Sequence, residues 1–332
     1  MSKVVFLNIP AHGHTNPTLG IVRELIARGE EVIYFSFPEF KDKIEHTGAK
    51  YREYKGFPQS YNTKQSYAFI KTLNFIRHLR CKDIVYLKEG KRIQNLLEKK
   101  YNLQKKDFLS TLINTSDLNL IYTSRSLQPQ SEKLCSEKYI FIGPSHSYNN
   151  NYSNKSEYSS LKKPIIYISL GTILHNNPEF YKHCFEALDD FEGSVIISIG
   201  TETKINDLGN IPKNFVIKSY VNQIEVLKQS KLFISHGGMN SVHESLLYAV
   251  PLCVYPFHVE QEAVAERIKE TGCGIILKKL NSKEIKKAVE KICKDDSYQT
   301  NCKKQSDNLI KAGGYKTGVD SILTFKEKNV SV

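Results

Sequence analysis

The sequence lacks the features that mark membrane-spanning, secreted and metal-binding proteins. No apolar run approaches the ~18–20 residues that cross a bilayer, and the apolar start is too short for a signal peptide. The seven cysteines are odd in number and form no CxxC pair, which favours reduced thiols over disulfides or zinc. His12 and His14 have no third ligand at a recognisable spacing. We therefore expect a cytoplasmic protein with no bound metal and no stable membrane insertion.

Nucleic-acid motifs are also missing, although the formal net charge is +12. The lysines are spread along the chain rather than gathered in a recognisable binding motif, so we expect a solvated basic surface and no nucleic-acid partner. The composition, 40% hydrophobic and 25% charged, is that of an ordinary globular protein. A length of 332 residues is sufficient for two domains, each with its own core.

The first part of the chain alternates strands and helices. Val4–Ile9 is continuously apolar, as in a buried parallel strand. Asn16 and Pro17 are typical of a helix start, which predicts a helix from there to Gly29. Two further strands are predicted at Glu31–Phe37 and Ala49–Tyr54. The order βαβαβ indicates a Rossmann-like sheet.

This pattern then stops, because no convincing strand lies between Lys55 and Asp117. Two short strands follow at 118–123 and 139–143. The sheet of this domain is therefore predicted to be reduced. A polar stretch rich in Asn, Ser and Tyr suggests a linker. We predict a shortened N-terminal domain at 1–148, a linker at 149–163 and a C-terminal domain at 164–332, with the last helix packing back on the first domain.

The second half repeats the alternation more regularly. Six apolar strands separated by helices predict a parallel sheet covered on both faces; they are Ile165–Leu170, Val195–Ile199, Phe215–Lys218, Leu232–Ser235, Leu252–Tyr255 and Gly274–Leu277. The fold class is α/β, with two Rossmann-like domains facing across a cleft. Ligands are expected at the carboxyl ends of the strands.

A glycine turn follows the strand that ends at Ser235. Gly237-Gly238 permits a tight turn and leaves backbone N–H groups uncovered, and Asn240 or Ser241 is predicted to cap the next helix. The N-terminus of a helix suits a phosphate. Ser169 to Thr172 forms a second small-residue turn at the same edge and is another candidate phosphate contact.

Three other positions each allow two interpretations. His14 follows the first strand and is either a general base or a loop histidine bonded to a carbonyl. Glu244 either completes a capping box with Ser241 or binds the hydroxyls of a ribose. Glu260-Gln261 either complements a helix dipole or binds sugar hydroxyls. Residue spacing alone does not decide between the two interpretations at any of these positions.

The motif His236–Ser241, followed by Glu244 and Glu260-Gln261, resembles the donor-binding signature of UDP-glycosyltransferases of the GT-B fold. The closest likeness is to bacterial macrolide- and flavonoid-type enzymes. Ser219–Leu227 resembles the upstream part of that signature, and Asn8–Leu19 resembles the acceptor-side motif of the family.

The resemblance implies a role for each candidate residue. UDP-sugar would be the donor substrate, with no tightly bound cofactor, and His14 would be the base that activates an acceptor hydroxyl. The implied donor contacts are His236, Gly238, Asn240, Ser241 and Thr172 for the diphosphate, Glu244 for the ribose, Tyr220, Val221 and Gln223 for the uracil, and Glu260 and Gln261 for the sugar.

Two departures from the family pattern bear on activity. Tyr220 and Asn222 stand where the family usually has Trp and Pro, and no clear carboxylate partner for His14 is found, with Asp83 and Asp117 the only nearby candidates. We expect an inverting transferase that moves a hexose, glucose being the first expectation, to a small apolar acceptor. The alternatives are a nucleotide-sugar-binding protein with impaired or lost transfer and, more remotely, an epimerase. The oligomeric state is left open.

Overall fold

The computed structural model describes residues 2–9, 11–54, 91–102 apart from positions 93 and 97, 116–144, 157–171 and 177–330. By packing, the chain divides into two units. The first comprises Met1–Leu120, Cys135–Ile140 and Val319–Val332, and the second comprises Ile121–Leu134 and Phe141–Gly318. The predicted strand-poor region lies largely outside the described residues.

The described sheet of the first unit has three parallel strands in the order β1-β2-β3. They are β1 (Lys3–Leu7), β2 (Glu31–Ser36) and β3 (Lys50–Glu53). Helix α1 (His12–Ala27) connects the first two strands, and a 3₁₀ turn followed by α2 (Lys41–Glu45) connects the second and third. The βαβαβ prediction is confirmed.

Helix α1 begins earlier than predicted. Its N-cap is Ala11 with no side-chain cap, and Pro17 lies inside the helix. The expectation that Asn16 caps a helix starting at Pro17 is therefore wrong. The first turn is held by packing: Thr15 is fully buried, and its hydroxyl lies 3.4 Å from Asn8 Nδ2. These contacts outweigh the backbone bond that a proline inside a helix gives up.

The second unit contains a six-stranded parallel sheet in the order β11-β10-β9-β6-β7-β8. All six strands match the predicted ones: β6 (Ile165–Ser169), β7 (Ser194–Ser198), β8 (Phe215–Lys218), β9 (Ser230–Ser235), β10 (Leu252–Val254) and β11 (Gly274–Ile276). Successive residues of β6 point to opposite faces, yet every one is buried. Both faces of this sheet are therefore covered, as predicted.

Helices supply that cover. Ile166 and Ile168 belong to the apolar core on one face, whereas Ile165 and Tyr167 belong to the core on the other. The helices of the second half are α3 (Pro178–Leu188), α4 (Gln223–Leu227), α5 (Met239–Leu247), α6 (Val259–Glu270), α7 (Ser282–Lys294), α8 (Ser297–Lys311) and α9 (Gly314–Val330).

Two short strands, β4 (Asn119–Ile121) and β5 (Tyr139–Phe141), form a separate two-stranded sheet. The segment between them is held on the second unit by side chains of three helices. Thr123 Oγ1 lies 2.9 Å from His243 Nε2. The Ser126 carbonyl accepts from Arg267 Nη2 at 2.6 Å, and Ser126 Oγ donates to Gln305 at 2.7 Å. This segment precedes residue 148 in sequence but belongs to the second unit. The domain boundary at residue 148 stays a prediction.

The end of α9 is attached to the first unit by ion pairs. Lys326 Nζ lies 2.6 Å from Glu30 Oε1, and Arg28 pairs with Asp320. Hydrogen bonds from Lys326, and then from Ser2, lower the pKa of Glu30 to about 2. The side chain of Glu30 is largely buried, so the loss of Lys326 would leave a carboxylate without its main partner.

We therefore expect Lys326→Met to lower the free energy of unfolding at pH 7 by about 1–2 kcal/mol. The carboxylate is stabilised only while ionised, so the Glu30 contribution is present above its ordinary pKa of 4.5 and is lost as pH falls toward 2. Urea unfolding at pH 7 and pH 3 measures both effects. Lys328→Met, on an exposed position of the same helix, is the control, and equal destabilisation by the two variants would contradict the assignment.

Candidate functional site

Two glycine turns lie side by side at the carboxyl edge of the second sheet. Strands β6 and β9 are neighbours, and their last residues, Ser169 and Ser235, are in register. Each serine hydroxyl accepts a hydrogen bond at 3.2 Å from the N–H two residues later, that of Gly171 or Gly237. Both glycines have positive φ, 75° and 85°. The strand pairing therefore brings two equivalent tight turns together.

The imidazole of His236 lies against glycines from both turns. A Cβ atom on Gly171 would lie 2.6 Å from His236 Cε1, and a Cβ on Gly238 would lie 2.5 Å from His236 Nε2. Neither position can accept a side chain while the ring stays where it is. The two glycines thus define the place of the imidazole.

Burial keeps His236 neutral at ordinary pH. Withdrawal of the ring from water is the main reason that its pKa falls to about 4, and the charge of His258 acts in the same direction. Its Nδ1 atom is buried and has no hydrogen-bond partner among the described residues. An unsatisfied buried nitrogen is costly, so this atom is a candidate ligand contact.

Helix α5 starts directly at this turn. Gly238 is its N-cap, in extended conformation and without a side-chain cap bond, and Met239 is its first residue. The prediction that Asn240 or Ser241 caps the helix is therefore wrong, and both residues lie in the first turn. A helix start whose N–H groups are not capped by a side chain suits an anion.

A hydrogen-bonded network lies beside this helix start. The side-chain amide of Gln223 donates from Nε2 to Glu244 Oε2 at 2.6 Å and to Ser241 Oγ at 3.3 Å. Its Oε1 accepts from Tyr167 Oη at 3.2 Å. Because α5 begins at Met239, Ser241 is not the N-cap and the capping-box interpretation of Glu244 is wrong. The network instead joins Glu244 to α4 and to the central strand β6.

Tyr220 and Val221 precede α4 and differ in exposure. The Tyr220 side chain is 80% exposed, so its ring is accessible for stacking with a planar base. Val221 is 4% exposed and packs in the core, which leaves only its backbone for a ligand. These exposures are compatible with the roles that the resemblance implies for the two residues.

Glu260 and Gln261 lie in the first turn of α6. Glu260 is exposed. Gln261 Oε1 accepts from the Phe257 N–H at 2.8 Å, which leaves the amide NH₂ group as a donor. The Cβ of Gln261 would lie 3.7 Å from a Cβ on Gly237. The two predicted sugar-binding residues are thus next to the glycine turn.

His14 is on the first unit, in the first turn of α1 and exposed. No hydrogen bond or ion pair joins its side chain to a carboxylate within the described residues. Asp117 is described and is not bonded to it, whereas Asp83 and Thr172 lie outside the described residues. The structure therefore brings together His236, Gly238, Ser241, Gln223, Glu244 and Gln261, and within the described ranges it shows no such network around His14.

Sequence reasoning missed Tyr167 and the close approach of Gly171 to His236. Tyr167 lies within an apolar run that predicts only a strand, and nothing in that run signals a hydrogen bond to Gln223. The partner of Gly171, His236, is far away in sequence and is reached only through strand pairing.

Among the described residues, no group of three or more His, Cys, Asp or Glu side chains could hold a metal ion. No described helix is long and apolar enough to cross a membrane.

A parallel α/β sheet with a glycine-lined histidine at a helix start, and a carboxylate network beside it, defines a candidate nucleotide-binding site. Residues 74–309 match the family model for UDP-glucoronosyl and UDP-glucosyl transferase. The chain belongs to this family.

Similar proteins agree with this assignment. A Bacillus subtilis protein named uncharacterized UDP-glucosyltransferase YojK is 30% identical, with 100% of this chain and 99% of that protein covered. A demethyllactenocin mycarosyltransferase of Streptomyces fradiae is 22% identical over 97% of this chain and 86% of its own length. The solved structure of the kitacinnamycin glycotransferase gives a TM-score of 0.79 at 22% identity, with 97% of each chain covered. The fold is GT-B, and the family is that of bacterial macrolide- and flavonoid-type UDP-glycosyltransferases.

The chain is shorter than its Bacillus relative. Their alignment extends over 405 residues although this chain has 332 and is covered completely. Part of the relative therefore has no counterpart here. The predicted shortening of the N-terminal domain stays a prediction, and this difference in length supports it.

The space around His236 can be tested with Gly171→Ala. The added methyl group would collide with the imidazole, so we expect UDP affinity to fall about tenfold or more, measured by calorimetry. Gly209→Ala is the matched control, because its φ of 77° gives similar backbone strain while its Cβ would meet nothing within 4 Å. Similar UDP affinity in the two variants would show that the ring position does not matter.

The neutral state of His236 predicts a pH effect on stability. Between about pH 6.5 and 4 the unfolded chain binds a proton at this histidine and the folded chain does not, so stability falls as pH falls through that window. His236→Gln removes this term. We expect the variant to lose about 2 kcal/mol less than the wild type between pH 7 and pH 5 in urea unfolding. Equal losses of unfolding free energy in the wild type and the variant would contradict the lowered pKa of His236.

Proposed function

We propose that the protein transfers a hexose, with inversion, from a UDP-sugar to a hydroxyl of a small apolar acceptor. The observation that carries the proposal is the junction at the start of α5. There, a neutral histidine framed by two glycines lies next to the Gln223–Glu244 network. Family membership supports a UDP-sugar donor, and the UDP-glucosyltransferase name of the Bacillus relative supports glucose.

Each end of the donor has a matching group in this proposal. His236 and the N–H groups around Gly238, Asn240 and Ser241 bind the diphosphate, and Thr172, outside the described residues, is assigned to it by the family resemblance alone. A neutral imidazole donates a single N–H, so most of the phosphate charge is met by backbone dipoles. Tyr220 stacks on the uracil and the Val221 backbone contacts its edge.

The sugar end of the donor is next to α6. Glu260 offers a carboxylate acceptor and Gln261 offers its NH₂ group to the hexose hydroxyls. In the reaction, an acceptor hydroxyl attacks the anomeric carbon and the bond from that carbon to the diphosphate oxygen breaks. The acceptor proton passes to His14, the general base, and UDP leaves with the bonding electron pair. Attack opposite the leaving group inverts the anomeric configuration.

Small apolar acceptors are proposed from the family resemblance. The name of the similar Streptomyces fradiae protein, demethyllactenocin mycarosyltransferase, supports this choice. We also propose a cytoplasmic location, because nucleotide sugars are made in that compartment.

A second candidate function is UDP-sugar binding with impaired or lost transfer. Two observations favour it: His14 is not bonded to a carboxylate within the described residues, and the relative is longer. An imidazole without an orienting carboxylate loses much of its efficiency as a base, a cost of ~10⁴-fold in the Ser-His-Asp enzymes.

UDP-glucose and a panel of phenolic and macrolide acceptors distinguish the two functions. For a transferase we expect glycosylated product and UDP release, with His14→Ala lowering turnover by 10²-fold or more while UDP affinity stays unchanged. His236→Ala is expected to weaken UDP binding itself. UDP binding without product would establish the second function, and a folded protein that binds no UDP would exclude both.

A further inference from the structure

The side-chain amide of Gln223 is engaged at both ends. Its two N–H bonds point to Glu244 Oε2, at 2.6 Å, and to Ser241 Oγ, at 3.3 Å. Its carbonyl oxygen accepts from Tyr167 Oη at 3.2 Å. An amide has only two N–H donors, so none is left for the edge of a base. This conflicts with the uracil contact that the family resemblance implies for Gln223.

The chemistry of the neighbours fixes the orientation of this amide. Rotation by 180° about the last bond would direct the amide oxygen at the Glu244 carboxylate, and two acceptors would then face each other. In the observed orientation the NH₂ group faces the carboxylate and the carbonyl faces a phenol. Gln223 therefore has one stable orientation, set from two sides.

Tyr167 is a rigid anchor for that arrangement. Its side chain is 1% exposed, and its ring stacks on Phe233 with centroids 4.7 Å apart and an interplanar angle of 15°. Burial raises its pKa, so the hydroxyl keeps its proton and stays a donor. A chain of hydrogen bonds thus connects the sheet core, through Gln223, to one oxygen of Glu244.

We propose that Tyr167 and Gln223 are positioning residues that hold the Glu244 carboxylate for the ribose hydroxyls of the donor nucleotide. The network then reads the sugar of the nucleoside and not its base. The inference rests on the proposed function, since it requires a UDP-sugar at this site. In this proposal Tyr167 holds Gln223, and Gln223 positions Glu244 instead of contacting the uracil.

The consequence is selectivity for a ribose over a 2′-deoxyribose. A carboxylate held in one orientation gains a charge-assisted hydrogen bond from the 2′-hydroxyl, and a deoxynucleotide cannot make that bond. Donors built on a deoxynucleoside diphosphate would be disfavoured. Selection between uracil and cytosine would fall to Tyr220 and the Val221 backbone.

The test compares the affinities of UDP, 2′-deoxy-UDP and CDP by calorimetry. For the wild type we expect UDP to bind about tenfold more tightly than 2′-deoxy-UDP. Tyr167→Phe and Gln223→Met should reduce this ratio about fivefold or more, mostly through weaker UDP binding. The ratio of UDP to CDP affinity should not change in either variant.

Tyr181→Phe is the matched control, since Tyr181 is another fully buried tyrosine of the same unit and packs in the core on the opposite face of the sheet. Circular dichroism and thermal melts confirm folding, and Gln223→Met keeps the test valid if Tyr167→Phe does not fold. A changed UDP to CDP ratio with an unchanged UDP to 2′-deoxy-UDP ratio would assign Gln223 to the base and overturn the inference. A folded wild type that binds no UDP would overturn the proposed function as well.

Discussion

The pairing of strands β6 and β9 is the constraint on which the site depends. It aligns Ser169 with Ser235, and each serine then holds the same kind of glycine turn. The imidazole between those turns has its position because backbone approaches it from both sides. A one-residue shift of either strand would turn its serine to the opposite face of the sheet and break this alignment. The site is thus a property of the sheet as much as of the loop sequence.

The same edge of the sheet combines two physical environments. At the start of α5, the ligand would meet backbone dipoles and an uncharged imidazole, which suits a diffuse negative charge without fixing its identity. At Gln223 and Glu244, short directional hydrogen bonds prevail, and these discriminate between ligands because an unmatched buried polar group is costly. In the proposed function, affinity and selectivity would therefore come from different groups, the start of α5 and the Gln223–Glu244 pair that joins α4 to α5.

Much of the fold could be predicted because strand and helix periods are local signals. The six strands of the second sheet were identified from apolar runs alone. Helix starts were harder to predict. Asn16 and Asn240 are residue types that favour helix caps, but neither is the cap. Helix α1 begins earlier, where Thr15 packs in the core, and α5 begins directly after the glycine turn at Gly238. Cap preferences are worth about 1 kcal/mol, which a few buried contacts exceed.

The candidate donor-binding residues could be identified because they follow strands closely in sequence, whereas the hydrogen bonds between them could not. Glu244 and Gln223 belong to different helices, and only the folded sheet brings Tyr167 to the same amide. A buried tyrosine and a core isoleucine look alike in an apolar run, so sequence alone assigned Tyr167 to packing.

The attachment of Val319–Val332 to the first unit, and of Ile121–Leu134 to the second, bears on the construction of chimeric enzymes. A single crossover in this chain would separate Glu30 from its lysine and leave Arg267 and His243 facing a foreign segment. Exchangeable modules here are discontinuous in sequence, and a workable hybrid needs junctions on both sides of each returning segment.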